Sequence, residues 1–194
     1  ESKIRCEKAR RRQDDLKNIK KDWITHLRNN PSEVVTPSAG EGEITNNHVW
    51  LLDEIRKNSL DASCLYCTNW KSLIPEFGNK VALAYKDFCM NYWRCYKPRL
   101  KSEQDVNNSI SNALLIALSG LKIEADEFSD FPNYLDNNDL NTALRYITWD
   151  INGFPSWFER MHRAFPKATE DTVLKELIWE LEASSSEGSL SCIL

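Results

Sequence analysis

Six cysteines, three histidines and a scatter of carboxylates are the groups in this 194-residue chain that can hold a metal or attack a bond. Cys64-x2-Cys67 has the bite of a zinc half-site, and Cys89 with Cys95 offers a second pair. Inside a helix, however, the step from Cys89 to Cys95 turns the two thiols about 240° apart around the axis. The four sulfurs do not converge, and a small buried thiol serves equally well as core. Glu159-x-x-His162 puts a carboxylate and an imidazole on one helical face, the unit that di-iron bundles use twice. The second unit is missing, because Trp23 precedes His26 at that spacing and Thr45 precedes His48. Glu159 and His162 therefore read as a solvent-facing pair.

Other chemistries fare no better. No GxxxxGK[ST] or GxGxxG loop is present to cradle phosphate, and the chain holds six glycines in all. A GxSxG nucleophile turn is absent. None of His26, His48 or His162 opens the His-x-Glu pattern of zinc deaminases. No arginine has a histidine four to six residues downstream, which argues against all-α ribonuclease sites. The expectation is a chain without catalysis, cofactor or metal of its own. The alternative is an all-α enzyme or metal module using Cys64, Cys67, Glu159 and His162.

The bulk properties suit a scaffold. Hydrophobic content is 41%, and seven Trp, seven Phe and six Tyr supply large apolar surfaces at a net charge of −4. No run of about 18 apolar residues spans a membrane, and the charged first residues are not followed by a signal-peptide core. Reduced thiols in a cytoplasmic protein are expected.

Periodicity predicts helices almost throughout, with no alternating β-branched segments. Residues 2–29 carry a narrow seam of Leu16, Ile19, Trp23 and Leu27 amid bases that include Arg10, Arg11 and Arg12. Interspersed Glu7, Asp14, Asp15 and Asp22 favour a solvated face over a phosphate-binding one. Residues 30–45, with two prolines and two glycines, read as a flexible loop. A short helix covers 46–60, and a longer aromatic one runs from about Pro75 to Tyr96, stopped by Pro98. Ser102 with Asp105 resembles a weak cap for a helix that is apolar in nearly every direction from Ile110 to Leu121.

Three stripes follow at close spacing. Leu140 to Ile151 form the first, ended by Gly153 in a left-handed turn with Pro155 opening the next helix. Trp157, Phe158, Met161 and Phe165 form the second, closed by Pro166. After a turn at Thr169, Val173, Leu174, Leu177, Ile178 and Leu181 form the third. The expected fold is all-α: about seven helices in stacked antiparallel pairs over residues 1–182, with a disordered tail at 183–194.

The segments 117–125 (ALSGLKIEA), 143–166 (ALRYITWDINGFPSWFERMHRAFP) and 173–182 (VLKELIWELE) resemble the helical-repeat region of very large bacterial NTPases. These are the NACHT- or STAND-like ATP-binding proteins associated with antiviral defence. Ser119-Gly120-Leu121 with Ile123-Glu124-Ala125 carries the first match. Arg145-Tyr146, Asn152-Gly153-Phe154-Pro155 and Trp157-Phe158 carry the second, and Glu176 to Leu181 the third. The likeness covers about the last two-fifths of the chain. It departs at Thr148-Trp149-Asp150, where the family has an acidic residue after a small helix-former. The resemblance implies a helical arm that senses or docks a ligand while an NTPase or effector module lies elsewhere. The family's nucleotide-binding residues have no counterpart positions in this chain.

The functional expectation is a scaffold for protein–protein contacts or contacts with other domains of the same chain. Trp50, Trp70, Trp149 and Trp179 are the exposed anchors, and Arg10, Arg11 and Arg12 are a second candidate surface. Binding of nucleic acid through the basic first helix is the alternative.

Overall fold

A computed structural model describes residues 2–35, 43–58, 66–103, 110–150 and 153–187. Among these residues there are nine α-helices and three short 3-10 turns, with no strand. The helices are α1 (Ser2–Asn29), α2 (Ser32–Val35), α3 (Asn46–Lys57), α4 (Ile74–Phe77) and α5 (Asn79–Cys95), then α6 (Asn112–Glu127), α7 (Asn137–Leu144), α8 (Phe158–Ala164) and α9 (Pro166–Glu187). No described helix is long and apolar enough to cross a membrane.

Packing centres on α5 against α6. α6 starts at Ser111, whose side chain accepts from the Leu114 amide at 3.2 Å and so satisfies one of the first-turn donors. Leu114 to Leu121 are all buried, as are Ile123, Glu124 and Ala125. Burying each large aliphatic side chain contributes about 1.5–3 kcal/mol. α5 answers with Val81, Tyr85, Phe88, Cys89, Tyr92 and Trp93, one face at helical spacing. Gly120 lets the two backbones meet, since a Cβ built there would lie 1.9 Å from the Cys89 carbonyl oxygen. Ser119 beside it donates to Leu115 O and accepts the Cys67 amide at 2.8 Å.

Several sequence-based boundaries shift. Ser111 caps α6 where Ser102 was expected to; Ser102 lies in a 3-10 turn at Lys101–Glu103, and Asp105 falls outside the described residues. The expected helix from Pro75 to Tyr96 breaks at Gly78, whose φ of +84° suits glycine. Within the predicted loop 30–45, α2 forms at Ser32–Val35 and buries Val34, while 36–42 fall outside the described residues. α9 continues to Glu187, past the predicted tail boundary at 183.

The stripe from Leu140 to Ile151 is cut short as well. α7 stops at Leu144, a 3-10 turn takes Ile147–Trp149, and Ile151 and Asn152 lie outside the described residues. The cause is local. Arg145 donates to Pro98 O at 2.7 Å, and the Tyr146 hydroxyl donates to Trp93 O at 2.9 Å, so both residues turn toward the end of α5. Gly153 does hold a left-handed φ of +109°, but nine residues beyond Leu144. Pro155 sits in the turn before α8, its carbonyl accepting the Phe158 amide. Pro166 opens α9 instead of closing α8, because a residue without N–H is harmless in the first turn. Thr169 is therefore inside α9 and buried.

The largest departure concerns the third stripe, which was expected to be core. On α9 Thr169, Glu176 and Glu180 are buried, Val173 of the predicted stripe packs against the core and Leu177 is partly buried, while Leu174, Ile178 and Leu181 are 54%, 55% and 53% exposed. At 100° per residue, Ile178 projects about 180° from Thr169 and 160° from Glu176. Glu176 accepts hydrogen bonds from the Ser102 amide at 3.0 Å and from the Ser102 hydroxyl. This charge-assisted anchor ties the inward face of α9 to the Lys101–Glu103 turn, and Leu174, Ile178 and Leu181 of the predicted stripe face outward.

Candidate interaction surface

Two clefts stand out among the described residues. The first lies between α1 and α3 and encloses about 320 Å³. Leu16, Ile19 and Trp23 come from α1 at i, i+3 and i+7; Trp50 comes from α3. Leu16 and Ile19 are more than half exposed, and Trp50 is 45% exposed. Trp23 fixes the geometry. Its Nε1 donates to Asn47 Oδ1 at 2.9 Å, and its ring meets Trp50 and Phe77 edge-on at 4.9 and 5.1 Å. Lower down α1, Leu27 is fully buried, so one seam passes from solvent into the core along a single helix.

The groove is braced by ions. Lys20 reaches both Glu54 of α3 at 2.8 Å and Glu76 of α4 at 3.0 Å, and Lys57 also pairs with Glu54 at 2.7 Å. Burial pushes the Glu54 carboxyl up, but hydrogen bonds from Lys20 and Lys57 bring it below the ordinary range. Burial likewise opposes charge on Lys20, and its two carboxylate partners more than offset this. Behind this pair His48 is fully buried, stacked on Phe88 with centroids 3.6 Å apart. Its Nδ1 accepts the Thr45 amide at 2.9 Å and its Nε2 donates to Val34 O at 2.7 Å. Those partners specify the neutral ring, and burial holds its pKa below the usual imidazole value.

The second cleft, about 510 Å³, is lined by Met90, Arg94, Glu124, Phe128 and Tyr134 among others. Its charges are already matched. Arg94 grips both Glu124 oxygens at 2.6 Å and Asp139 at 2.7 Å, while its guanidinium lies 4.2 Å from the Trp93 ring centroid. Trp93 Nε1 and the Tyr134 hydroxyl complete the carboxylate shell at 2.8 Å each. Burial raises the Glu124 carboxyl, and Arg94, Trp93 and Tyr134 together bring it net below its ordinary value. This cluster joins α5, α6 and α7.

The sequence-chosen residues scatter. Trp50 lines the first groove, and Arg10, Arg11 and Arg12 are exposed on the part of α1 that runs beyond it. Trp179 is 36% exposed on α9. Trp70 corrects the expectation of an exposed anchor: it is buried, with Lys71 and Lys86 ammonium groups 5.5 and 5.3 Å from its ring. Trp149 is only half-exposed and packs against the core. Cys64 lies outside the described residues; Cys67 and Cys89 are buried, whereas Cys95 is exposed. Burial pushes the Cys89 thiol up to about 12, far from a reactive thiolate. Among the described residues no three His, Cys, Asp or Glu gather as a metal site would require. Glu159 and His162 do not pair with each other, because Arg163 takes Glu159 and Glu170 takes His162 at 3.0 Å.

Sequence reasoning missed Glu124, Arg94, His48 and Glu176. For Glu124 a signal existed, since it is the first carboxylate after the apolar run of α6 and lies between Ile123 and Ala125, where a buried carboxylate must find a cation. No family model, no curated protein and no solved structure matches the chain.

Proposed function

We propose that this protein is a non-catalytic helical scaffold, its helices stacked as antiparallel neighbours, whose α1–α3 groove receives an amphipathic helix of a protein partner. The observation that carries the reading is the seam of α1, where Leu27 is core while Leu16 and Ile19, continuing the same face, stand open beside Trp50. Helix-in-groove recognition uses apolar anchors at such i, i+3 and i+7 spacing, and tryptophan is a frequent energetic centre. Arg10, Arg11 and Arg12 extend a basic field beyond the groove that steers an acidic partner toward it.

The residues that resemble the helical arms of defence-type NTPases support the scaffold half of this reading. Ser119, Gly120, Glu124, Arg145, Tyr146 and Glu176 all serve contacts between elements. A docking arm needs that rigidity and no turnover chemistry. Within this reading the arm works in the cytoplasm beside an NTPase or effector module.

The test is titration of a labelled acidic amphipathic peptide, about four turns long with leucines at i, i+4 and i+7, followed by anisotropy. Trp50→Ala is expected to weaken binding by about 30-fold, the effect of losing a central tryptophan anchor. Absence of binding, or binding indifferent to Trp50→Ala and Leu16→Asp, overturns the proposal. Duplex binding at about 50 mM salt that disappears in an Arg10, Arg11, Arg12→Ala variant would move the assignment to nucleic acid.

A further inference from the structure

The molecule carries a second exposed apolar face, and the two faces complement one another. On α9, Leu174, Ile178 and Leu181 follow i, i+4 and i+7 and are each more than half exposed. On α1, Leu16, Ile19 and Trp23 follow i, i+3 and i+7. Both stripes are therefore about 10 Å long at 1.5 Å per residue. Their charges are opposite. α1 holds ten lysines and arginines against four carboxylates, and α9 holds two lysines against six carboxylates. Two of those six, Glu176 and Glu180, face inward, but Glu170, Asp171 and Glu182 are exposed flanking the stripe.

Order along each helix adds a register. One turn before Leu16 on the same face stands Arg12, and one turn before Leu174 stands Glu170. A parallel alignment with Leu16 against Leu174 sets Arg12 beside Glu170 and Trp23 beside Leu181. Apolar contacts and opposite charges are then satisfied at once.

The two faces cannot meet within one molecule. α1 is seated on α4 and α5, whereas α9 is seated on α8 and the 3-10 turn at Lys101–Glu103. We infer that the occupant of the α1–α3 groove is α9 of a second copy of this chain, a head-to-tail contact that rests on the docking reading above. Because donor face and acceptor face differ, each copy keeps one of each, and association grows into open chains or a closed ring instead of stopping at a dimer.

Sedimentation velocity on the full chain, from low to high micromolar, tests this with two double variants. Leu16→Asp with Ile19→Asp spoils the groove; Leu174→Asp with Ile178→Asp spoils the stripe. All four positions are exposed, and thermal melts matching the wild type confirm that folding is kept. The wild type is expected to gain mass with concentration, and each double variant to remain a monomer. Mixed one to one, the two variants restore a single intact contact and stop at a heterodimer. Added salt lowers the association of the wild type, as opposite charges require.

A wild type that stays monomeric throughout overturns the copy-to-copy contact. If the acidic peptide still occupies the groove, the docking reading survives without it; if not, both fall. A dimer that persists in either double variant, or a mixture that fails to pair, overturns the head-to-tail arrangement. Should a double variant melt early, Arg12→Glu and Glu170→Lys carry the same test. Each alone is expected to raise the concentration for half-association by about tenfold or less, and the mixture to pair through the unaltered faces.

Discussion

Helices α6 and α9 are both rich in leucine and isoleucine, yet one is the centre of the molecule and the other wears its apolar stripe outside. α6 is buried on all sides by α5 and its neighbours, with Glu124 tied to Arg94 inside the packing. α9 turns Thr169, Glu176 and Glu180 inward and leaves Leu174 and Ile178 in solvent. α9 is the more highly charged of the two, and the partners of their buried carboxylates differ as well. Glu124 is locked by the bidentate, partly buried Arg94 of α5, the helix it packs against, so the surrounding apolar surface is buried with it. Glu176 is locked by Ser102 on a peripheral turn, and that bond holds the helix with its polar face in.

The contrast breaks most severely at Gly120. Gly120→Ala places a Cβ 1.9 Å from a backbone oxygen that cannot rotate away, so α5 and α6 must part along their length. A loss of about 3 kcal/mol or more is expected, at the upper end for overpacking. Urea unfolding measures it, and a loss below about 1 kcal/mol would mean that the two helices are not rigidly apposed. Arg94→Met comes next. It strands the Glu124 carboxylate among buried groups, with Trp93 and Tyr134 as its remaining donors among the described residues. About 3 kcal/mol is expected, as for a buried ion pair broken from one side. The combined Arg94→Met, Glu124→Leu variant should recover part of that loss, since no charge is then left unpaired.

On α9 the analogous change is smaller. Glu176→Ala removes the acceptor for the Ser102 amide and hydroxyl and is expected to cost about 1–3 kcal/mol. It also sharpens the comparison. With the polar anchor gone, the apolar stripe is the better candidate for burial, and hydrogen exchange at Thr169 to Glu180 should rise more than at α6. Unchanged protection there would show that α8 and the surrounding packing, and not Glu176, orient the helix.

Much of this architecture was legible as periodicity, and what was illegible has one physical source. α3, α5 and α6 follow their stripes, because apolar spacing records which face is buried whenever burial is hydrophobic, whereas α1 buries Leu27 and leaves Leu16 and Ile19 of the same seam exposed. The pattern misled wherever a polar contact chose the orientation or ended the element. Arg145 and Tyr146 cut α7 short by reaching for carbonyls of Trp93 and Pro98, some 50 positions away in the chain. Glu176 inverted α9 through a residue 74 positions distant. Trp70 looked like a surface anchor and is instead packed under two lysines. Trp50 was correctly placed at a surface, but the groove around it needed α1 and α3 side by side, and no spacing rule supplies that. His48 gave no warning at all. Its role depends on Val34 and Thr45 converging from either side.

That histidine yields a pH prediction on the groove side of the comparison. Nδ1 must stay unprotonated to accept the Thr45 amide, and burial holds the folded pKa below the unfolded value of 6.5. The unfolded chain therefore binds a proton first as pH falls. His48 contributes its full stability above about pH 6.5, and that contribution is lost as pH drops toward the lower folded pKa. Chemical denaturation of wild type and His48→Gln at pH 7.5 and pH 5.5 isolates the effect, since the other histidines are common to both proteins. The wild type should lose more stability than His48→Gln over this interval. An equal slope would mean that the ring is not held neutral by Thr45 and Val34.

The smallest expected effect is the most telling for α9. Ile178→Ser exchanges an exposed isoleucine for a small polar residue at a position about 180° from buried Thr169. In a helix packed like α6, the same exchange opens a cavity and exposes a hydroxyl to apolar surroundings, at a cost of several kcal/mol. On α9 the Ile178 side chain is more than half exposed, and the helix propensities of serine and isoleucine are similar. The change in unfolding free energy at low protein concentration should stay within about 0.5 kcal/mol. If Ile178 instead proves as costly as a core residue in the dilute monomer, α9 is seated by its apolar stripe and the inversion of the two helices does not exist. If the cost emerges only as concentration rises, it belongs to association, and the outward stripe of α9 is a surface made to be covered.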